Sequence, residues 1–135
     1  MHALALLAVT LVAATPAPQS VVREWSRALN TNDNEAAAAL FARGARVVQP
    51  GVDVHLTPRL AVAFNASLPC AGKITRMQRS GNRVVATFML GERPRHRCDA
   101  PGQKAAALFV IRKGLIVLWA QVPVPPAKAK KKLPA

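Results

Sequence analysis

The chain has 135 residues, of which 51% are hydrophobic and 19% charged, so it holds enough apolar material for one core and leaves no room for a second domain or a repeat array. It carries 19 basic and 6 acidic residues, a net charge of +13. Such an excess attracts polyanions in general. It also arises from simple compositional bias toward alanine and arginine, and no specific nucleic-acid partner is expected.

The first segment of the chain is an apolar run from Ala3 to Ala13. It has the length of a signal-peptide core and is too short to span a bilayer as a helix. Small residues follow, offering a cleavage site near Ala14 to Ala17. We therefore predict that residues 1–17 are a cleaved signal peptide and that the protein is secreted, periplasmic or part of the cell envelope. An uncleaved anchor or a misassigned start is the alternative.

Two short helices follow the leader. The first is predicted from Ser20 to about Thr31, because Val22, Trp25 and Leu29 recur on one helical face. The second begins after the polar segment 32–35, continues through residues 36–42 and ends at Gly44.

A short strand and a third helix come next. Residues 46–49 are predicted as the short strand, and Pro50-Gly51 turns the chain. Thr57 is placed to cap the third helix, which begins at Pro58 and is stopped by Pro69.

The second half of the chain alternates strand-like runs with tight turns, including Gly81-Asn82 and Lys113-Gly114. Four strands are predicted at about 73–80, 83–91, 104–112 and 115–122. The second and third are apolar on both faces, so one face should cover the helices and the other a partner, which predicts a homodimer through the sheet. The fold class is α+β: a cone-like bent antiparallel sheet of four main strands plus a short first strand, wrapped around three N-terminal helices, over residues 18–123.

The C-terminal segment is rich in proline and lysine. After Pro123-Val124-Pro125-Pro126 come Lys128, Lys130, Lys131 and Lys132. Residues 124–135 are predicted to be disordered. Their positive charge suits an anionic surface or polymer as a partner.

The chain has two cysteines, Cys70 and Cys98. In an oxidising compartment an even number favours a single disulfide, and two free thiols are the alternative. A metal site is not expected, because two cysteines with only His55 and His96 show no ligand spacing. A catalytic cysteine is not expected either, since no activating histidine arrangement accompanies it.

Three segments carry a resemblance to a known superfamily. They are Ala28-Leu29-Asn30 at the end of the first helix, Leu40-Phe41-Ala42 before Ala45-Arg46-Val47, and the closing hairpin from Phe109 to Trp119. In order and spacing they resemble the nuclear transport factor 2-like superfamily, particularly exported bacterial members of its SnoaL-like branch. The resemblance implies a cone made by a bent sheet around a long helix, with a pocket inside and frequently a dimer on the outer sheet face.

The same resemblance bears on catalysis. The superfamily includes steroid isomerases, polyketide cyclases, dehydratases and epoxide hydrolases, and also pocketed domains without chemistry. Isomerase-like members place an aspartate base just before the proline that corresponds to Pro50, and epoxide-hydrolase-like members place an acid soon after the tryptophan that corresponds to Trp119. This sequence has Gln49 and Gln121 there, and it has no tyrosine to act as an oxyanion donor. A glutamine cannot accept a proton at neutral pH.

Candidate site residues follow from the cone and from the few remaining acids. Six are predicted to lie in the cone interior, as core packing or as pocket lining: Trp25, Phe41, Gln49, Phe64, Trp119 and Gln121. The weaker acid and base candidates are the loop pair Asp53 and His55, and Asp99 near the cysteines. No cofactor is expected.

The sequence therefore favours an exported, non-catalytic module that binds an apolar small molecule or a protein. One alternative is a SnoaL-like isomerase, cyclase or hydrolase with an unrecognised acid in the pocket. A second is a basic surface for anionic polymers or lipid headgroups.

Overall fold

A computed structural model describes residues 5–11 and 14–127. It contains three helices and six strands in the order α1, α2, β1, β2, α3, β3, β4, β5, β6. The helices are α1 (Pro18–Asn30), α2 (Asn34–Ala39) and α3 (Pro58–Ser67). The strands are β1 (Phe41–Gln49), β2 (Val52–His55), β3 (Ala71–Ser80), β4 (Arg83–Gly91), β5 (Lys104–Arg112) and β6 (Leu115–Val122).

The six strands form one curled sheet in the order β2-β1-β6-β5-β4-β3. Neighbouring strands pair antiparallel except β1 and β6, which pair parallel. The sheet is therefore mixed and not purely antiparallel as predicted. Its inner face packs on the helices through one core that includes Val22, Trp25 and Leu29 of α1. The predicted α+β cone is confirmed.

Two helices begin with a side-chain cap, and that of α3 is the predicted one. The predicted cap at Ser20 is not formed, because α1 begins after Ala17 without a side-chain hydrogen bond. The Asp33 side chain accepts a hydrogen bond from the Ala36 amide at 3.0 Å and begins α2. The Thr57 hydroxyl accepts one from the Leu60 amide at 3.2 Å, with Pro58 in the first turn of α3.

The first two strands differ from the prediction. Residues 40–42 are not helical, because α2 ends at Ala39 and β1 begins at Phe41, well before the predicted Arg46. Gly44 does not end a helix; it lies inside β1 with φ +78°, where the β1–β6 register shifts. β2 was not predicted. It is a short edge strand whose four residues are all exposed. Val52 and Val54 alternate with Asp53 and His55, but a run of four residues is the shortest that the strand pattern allows and gives only a weak signal.

The remaining elements lie close to their predicted bounds. β4, β5 and β6 agree with the prediction, β3 starts at Ala71 rather than 73, and α1 starts at Pro18 rather than Ser20. Pairs across the central strands show which residues share a face. Val85 of β4 lies opposite Leu108 of β5 on the outer face, whereas Ala86 lies opposite Ala107 on the inner face.

Residues 123–127 follow β6 and are here termed the strap. The carbonyl of Pro126 accepts a hydrogen bond from Arg76 of β3 at 3.1 Å, so the strap spans the outer face from β6 to β3. Of the tail predicted to be disordered at residues 124–135, residues 124–127 belong to the strap, and residues 128–135 lie outside the described residues. Within the described part of the chain, no helix has the length and apolar character needed to span a membrane.

Candidate functional site

A cavity of about 250 Å³ lies between α1 and the inner face of the sheet. Its walls are largely apolar. Leu29, Leu68 and Leu90 contribute aliphatic surface, and the small side chains of β5 at Ala105 and Ala107 leave the space open. Gly72 keeps the start of β3 close to the Phe88 ring, because a Cβ atom built there would lie 2.9 Å from that ring.

Aromatic rings form one side of the cavity. Trp25 contacts Phe88 and Phe109 edge to face, with ring centroids 6.0 and 5.3 Å apart. Its indole N–H donates to the Asn65 side-chain oxygen at 2.8 Å, which fixes the ring orientation. Trp119 packs on Phe64 with centroids 5.1 Å apart, and its buried indole N–H has no hydrogen-bond partner in the described structure. Packing alone holds the Trp119 ring.

Two glutamine side chains are among the polar groups of the cavity wall. Gln49 ends β1 and Gln121 lies near the end of β6, and both line the cavity. The parallel register places Val47 opposite Trp119 and Val48 opposite Ala120, so the glutamines occupy the next level of the same strand pair. They therefore stand side by side on adjoining strands. Each offers a donor and an acceptor without carrying charge.

The predicted disulfide is confirmed, and it lies at the cavity. Cys70 at the start of β3 is bonded to Cys98 in the β4–β5 loop, and Cys70 also lines the cavity. Asp99 lines it too, with its carboxylate oxygen 3.5 Å from Cys70 Sγ. Although these three side chains are close together, both sulfurs are bonded to each other and neither is a thiolate. The group is therefore not a thiolate metal site.

The sequence candidates are divided between the cavity and other places. Trp25, Gln49, Trp119, Gln121 and Asp99 line it.

Phe41 and Phe64 are not among the lining residues; they pack edge to face, 6.0 Å between centroids, in the core. Asp53 and His55 lie on the exposed strand β2. The Asp53 carboxylate accepts two hydrogen bonds from Arg46 at 2.7 and 2.8 Å. These hydrogen bonds lower the pKa of Asp53, which makes it a poorer base. The ring of His55 contacts the carbonyl of Gly44 at 3.0 Å rather than a cavity group.

Arg93, which was not identified from the sequence, is a buried residue that binds two segments of the cavity wall. Its side chain is only 2% exposed. The guanidinium donates to the carbonyls of Leu29, Asn65 and Leu68 at 2.7 to 3.1 Å, and also to the Asn34 side chain. These carbonyls lie at the C-terminal ends of α1 and α3, where a cation is favoured. Burial lowers the pKa of Arg93.

Nothing in the sequence separates Arg93 from its exposed neighbours Arg95 and Arg97. The positions of two helix ends, both far away in the chain, decide that Arg93 is buried. Because Leu29 and Leu68 line the cavity, Arg93 positions two parts of its wall.

Solved structures show what this arrangement is similar to. A protein of unknown function from Cytophaga hutchinsonii, described as NTF2-like, superposes with a TM-score of 0.68 at 16% identity, covering 82% of this chain and 93% of that one. An NTF-2 like protein of unknown function from Burkholderia xenovorans gives 0.62 at 16% identity, covering 84% and 88%. The chain has a nuclear transport factor 2-like fold.

A third similar structure is described as having a ketosteroid isomerase-like fold. It is a hypothetical protein from Catenulispora acidiphila with a ketosteroid isomerase-like fold, in complex with trimethylamine; it gives a TM-score of 0.61 at 21% identity, covering 82% of this chain and 87% of that one. No family model and no curated protein matches the sequence. At these low sequence identities the similarity establishes only the fold. Any activity has to be inferred from the residues of the cavity.

Proposed function

We propose that this protein is an exported, non-catalytic module that binds a small, mostly apolar and uncharged molecule in the cavity of the cone. One observation carries the proposal. Among the described residues, the cavity wall is apolar and aromatic apart from Ser26, Gln49, Gln121, Asp99 and the disulfide, and it contains no lysine, arginine or histidine. In a chain with 19 basic residues, such a wall disfavours an anionic ligand.

The wall also lacks the parts of a proton-transfer site. By the resemblance to isomerase-like and epoxide-hydrolase-like proteins, Gln49 and Gln121 take positions that hold acids in those enzymes, and an amide cannot act as a base. The Ser26 hydroxyl donates to the Gly72 carbonyl at 3.2 Å, and no histidine lies beside it to activate it. Asp99 is solvent-exposed and its nearest partner is a disulfide sulfur. The remaining chemistry is hydrogen bonding by two amides around an apolar body.

The volume of the cavity limits the size of the ligand. The volume of about 250 Å³ exceeds the ~150 Å³ cavity that takes benzene, and it falls just below the ~300 Å³ at which drug-sized pockets begin. One or two fused rings with a single hydrogen-bonding group fit that space. The apolar leader and the disulfide support action outside the cytoplasm.

Thermal unfolding with a panel of one- and two-ring hydrocarbons, alcohols and ketones tests the proposal. A ligand at about one hundred times its Kd stabilises the folded state by about 2.7 kcal/mol, which raises the Tm by about 10 °C. Binding should change little between about pH 5 and 8, because neither amide titrates there.

A cavity-filling variant locates the binding. Ala105→Leu adds bulk to the wall and should abolish the ligand-induced rise in Tm, whereas Ala63→Leu on the exposed face of α3 should preserve it. If no compound raises the Tm, the binding proposal is wrong. If the unmodified protein turns over a substrate and Asp99→Asn abolishes that turnover, the non-catalytic proposal is wrong.

A further inference from the structure

The outer face of the sheet has a different composition from the inner one. The strand register puts Lys73 of β3, Met89 of β4 and Lys104 of β5 in one row on this face. Six residues back along β4, Arg83 lies opposite Ser80 and Val110 on the same face. Six residues of strand span about 20 Å, so the cations frame a patch of that length across three strands.

These outer cations have no acidic partner. The described residues form only two ion pairs, Glu24 with Arg27 on α1 and Arg46 with Asp53 on β1 and β2. Lys73, Arg83 and Lys104 are exposed and take part in neither. Their charge is therefore available to an external anion.

A fourth cation, Arg76 of β3, lies on this face and binds the end of the strap. Arg76, Thr87, Ala106 and Val122 form one row across β3 to β6. The strap leaves β6 after Val122, and the Pro126 carbonyl near its end accepts a hydrogen bond from Arg76, so the strap runs from one end of this row to the other. Thr87 and Ala106, in the middle of the row, are buried. Two residues after Pro126 the sequence enters its lysine run, which lies outside the described residues.

Apolar side chains lie between the cations. Met89 is 43% exposed and Val124 of the strap 39% exposed. Val85 and Leu108 form the floor of a shallow groove beside the strap, together with Pro123 and Pro125.

We propose that this outer face docks the protein on an anionic lipid bilayer. Cations at the rim pair with anionic headgroups, and the aliphatic side chains between them enter the headgroup layer. The patch has no aromatic residue on which bases could stack, which favours lipid over a single-stranded nucleic acid. The inner cavity remains free on the opposite face of the sheet, so docking and ligand binding do not exclude each other.

Vesicle sedimentation tests the proposal. The protein should bind vesicles of phosphatidylcholine mixed with phosphatidylglycerol at low salt, bind vesicles of phosphatidylcholine alone far more weakly, and release from the mixed vesicles as salt screens the charges. Each cation near an anionic surface contributes about a fivefold change in partitioning. The variant Lys73→Gln, Arg83→Gln, Lys104→Gln should therefore lose about a hundredfold.

A matched control separates the face from net charge. Arg23→Gln, Arg59→Gln, Arg97→Gln removes the same number of exposed cations from other surfaces. With identical termini in every protein, the leader and tail contribute equally, and circular dichroism checks that each variant is folded. We expect the control to lose less than about tenfold.

Several results would overturn the proposal. They are failure of the unmodified protein to bind the mixed vesicles, equal losses in the two triple variants, and binding of a soluble polyanion such as heparin or duplex DNA without binding of vesicles. The last result would make the patch a polyanion site in place of a membrane surface.

Discussion

The two faces of the sheet are built from neighbouring residues of the same strands, yet they present opposite chemistry. On β4 the inward residues Ala86 and Phe88 border the core and cavity, whereas the outward residues Arg83 and Met89 face solvent. The cavity wall contains no basic side chain among the described residues, while the outer face has at least four cations without an acidic partner, among them Lys73, Arg76, Arg83 and Lys104. The net charge of +13 for the whole chain therefore does not indicate the local charge of either face.

The comparison shows how strand alternation separates two chemical environments in a small protein. Side chains at successive positions point to opposite sides, so an apolar pocket and a charged surface can share one strand without sharing an environment. It also means that a one-residue slip in register would exchange the two faces. We therefore expect the largest losses of stability from substitutions at two kinds of position. These are residues that fix the strand register and residues that hold the helices against the inner face.

Removing Arg93 should have the largest effect. Arg93→Ala leaves the Leu29, Asn65 and Leu68 carbonyls without their donor, and each buried unsatisfied group costs about 1 to 3 kcal/mol. We expect a loss of about 4 kcal/mol or more in the free energy of unfolding, measured by urea denaturation. Arg97→Ala, at an exposed position in the same loop, should change it by less than about 0.5 kcal/mol. Similar losses in the two variants would contradict the positioning role.

Removing the disulfide should have the next largest effect. Cys70→Ser with Cys98→Ser releases a loop of sequence separation 28, which costs about 3 to 4 kcal/mol in the chain-entropy model. Because Cys70 and Asp99 line the cavity, the variant should also bind ligand more weakly. Thiol titration of the unreduced protein gives the direct check, and two reactive thiols per chain would show that the bridge does not form.

The predicted homodimer would use the same outer face as the proposed lipid docking. Leu108→Arg places a charge in the centre of that face, opposite Val85, at a cost to monomer stability of about 1 kcal/mol. If two chains pair through this face, sedimentation should show a dimer converted to a monomer. If the face docks on lipid, the unmodified protein should sediment as a monomer and the added cation should leave vesicle binding intact.

Much of the fold follows from sequence pattern because its signals are local. Thr57 and Pro58 begin α3 by capping chemistry, and β4 to β6 are apolar runs separated by turn signals such as Gly81-Asn82 and Lys113-Gly114. β1 was misplaced because Ala36 to Ala42 favour a helix by propensity, whereas Phe41 is recruited by pairing with Ile116, distant in the chain.

The site was predicted less well for the same reason. Asp53 and His55 were predicted as a weak acid and base pair because they are close in sequence. In the structure, Arg46 on the paired strand binds Asp53 at the surface. Arg93 looks like any other arginine of its loop until two helix ends meet around it.

The smallest effect should come from the Arg46–Asp53 pair at the sheet edge. Both side chains are half-exposed, so the pair contributes little to stability and salt screens it. Hydrogen bonding to Arg46 lowers the pKa of Asp53 below its ordinary value of about 3.9. A lowered carboxyl pKa adds stability above the ordinary pKa and loses it as pH falls through the lower value, where the folded carboxylate is protonated. The small difference in urea midpoint between the unmodified protein and Asp53→Asn should therefore be larger at about pH 7 than at about pH 2, which lies below the ordinary carboxyl pKa. An unchanged difference at both pH values would show that the variant acts through packing of β2 rather than through charge.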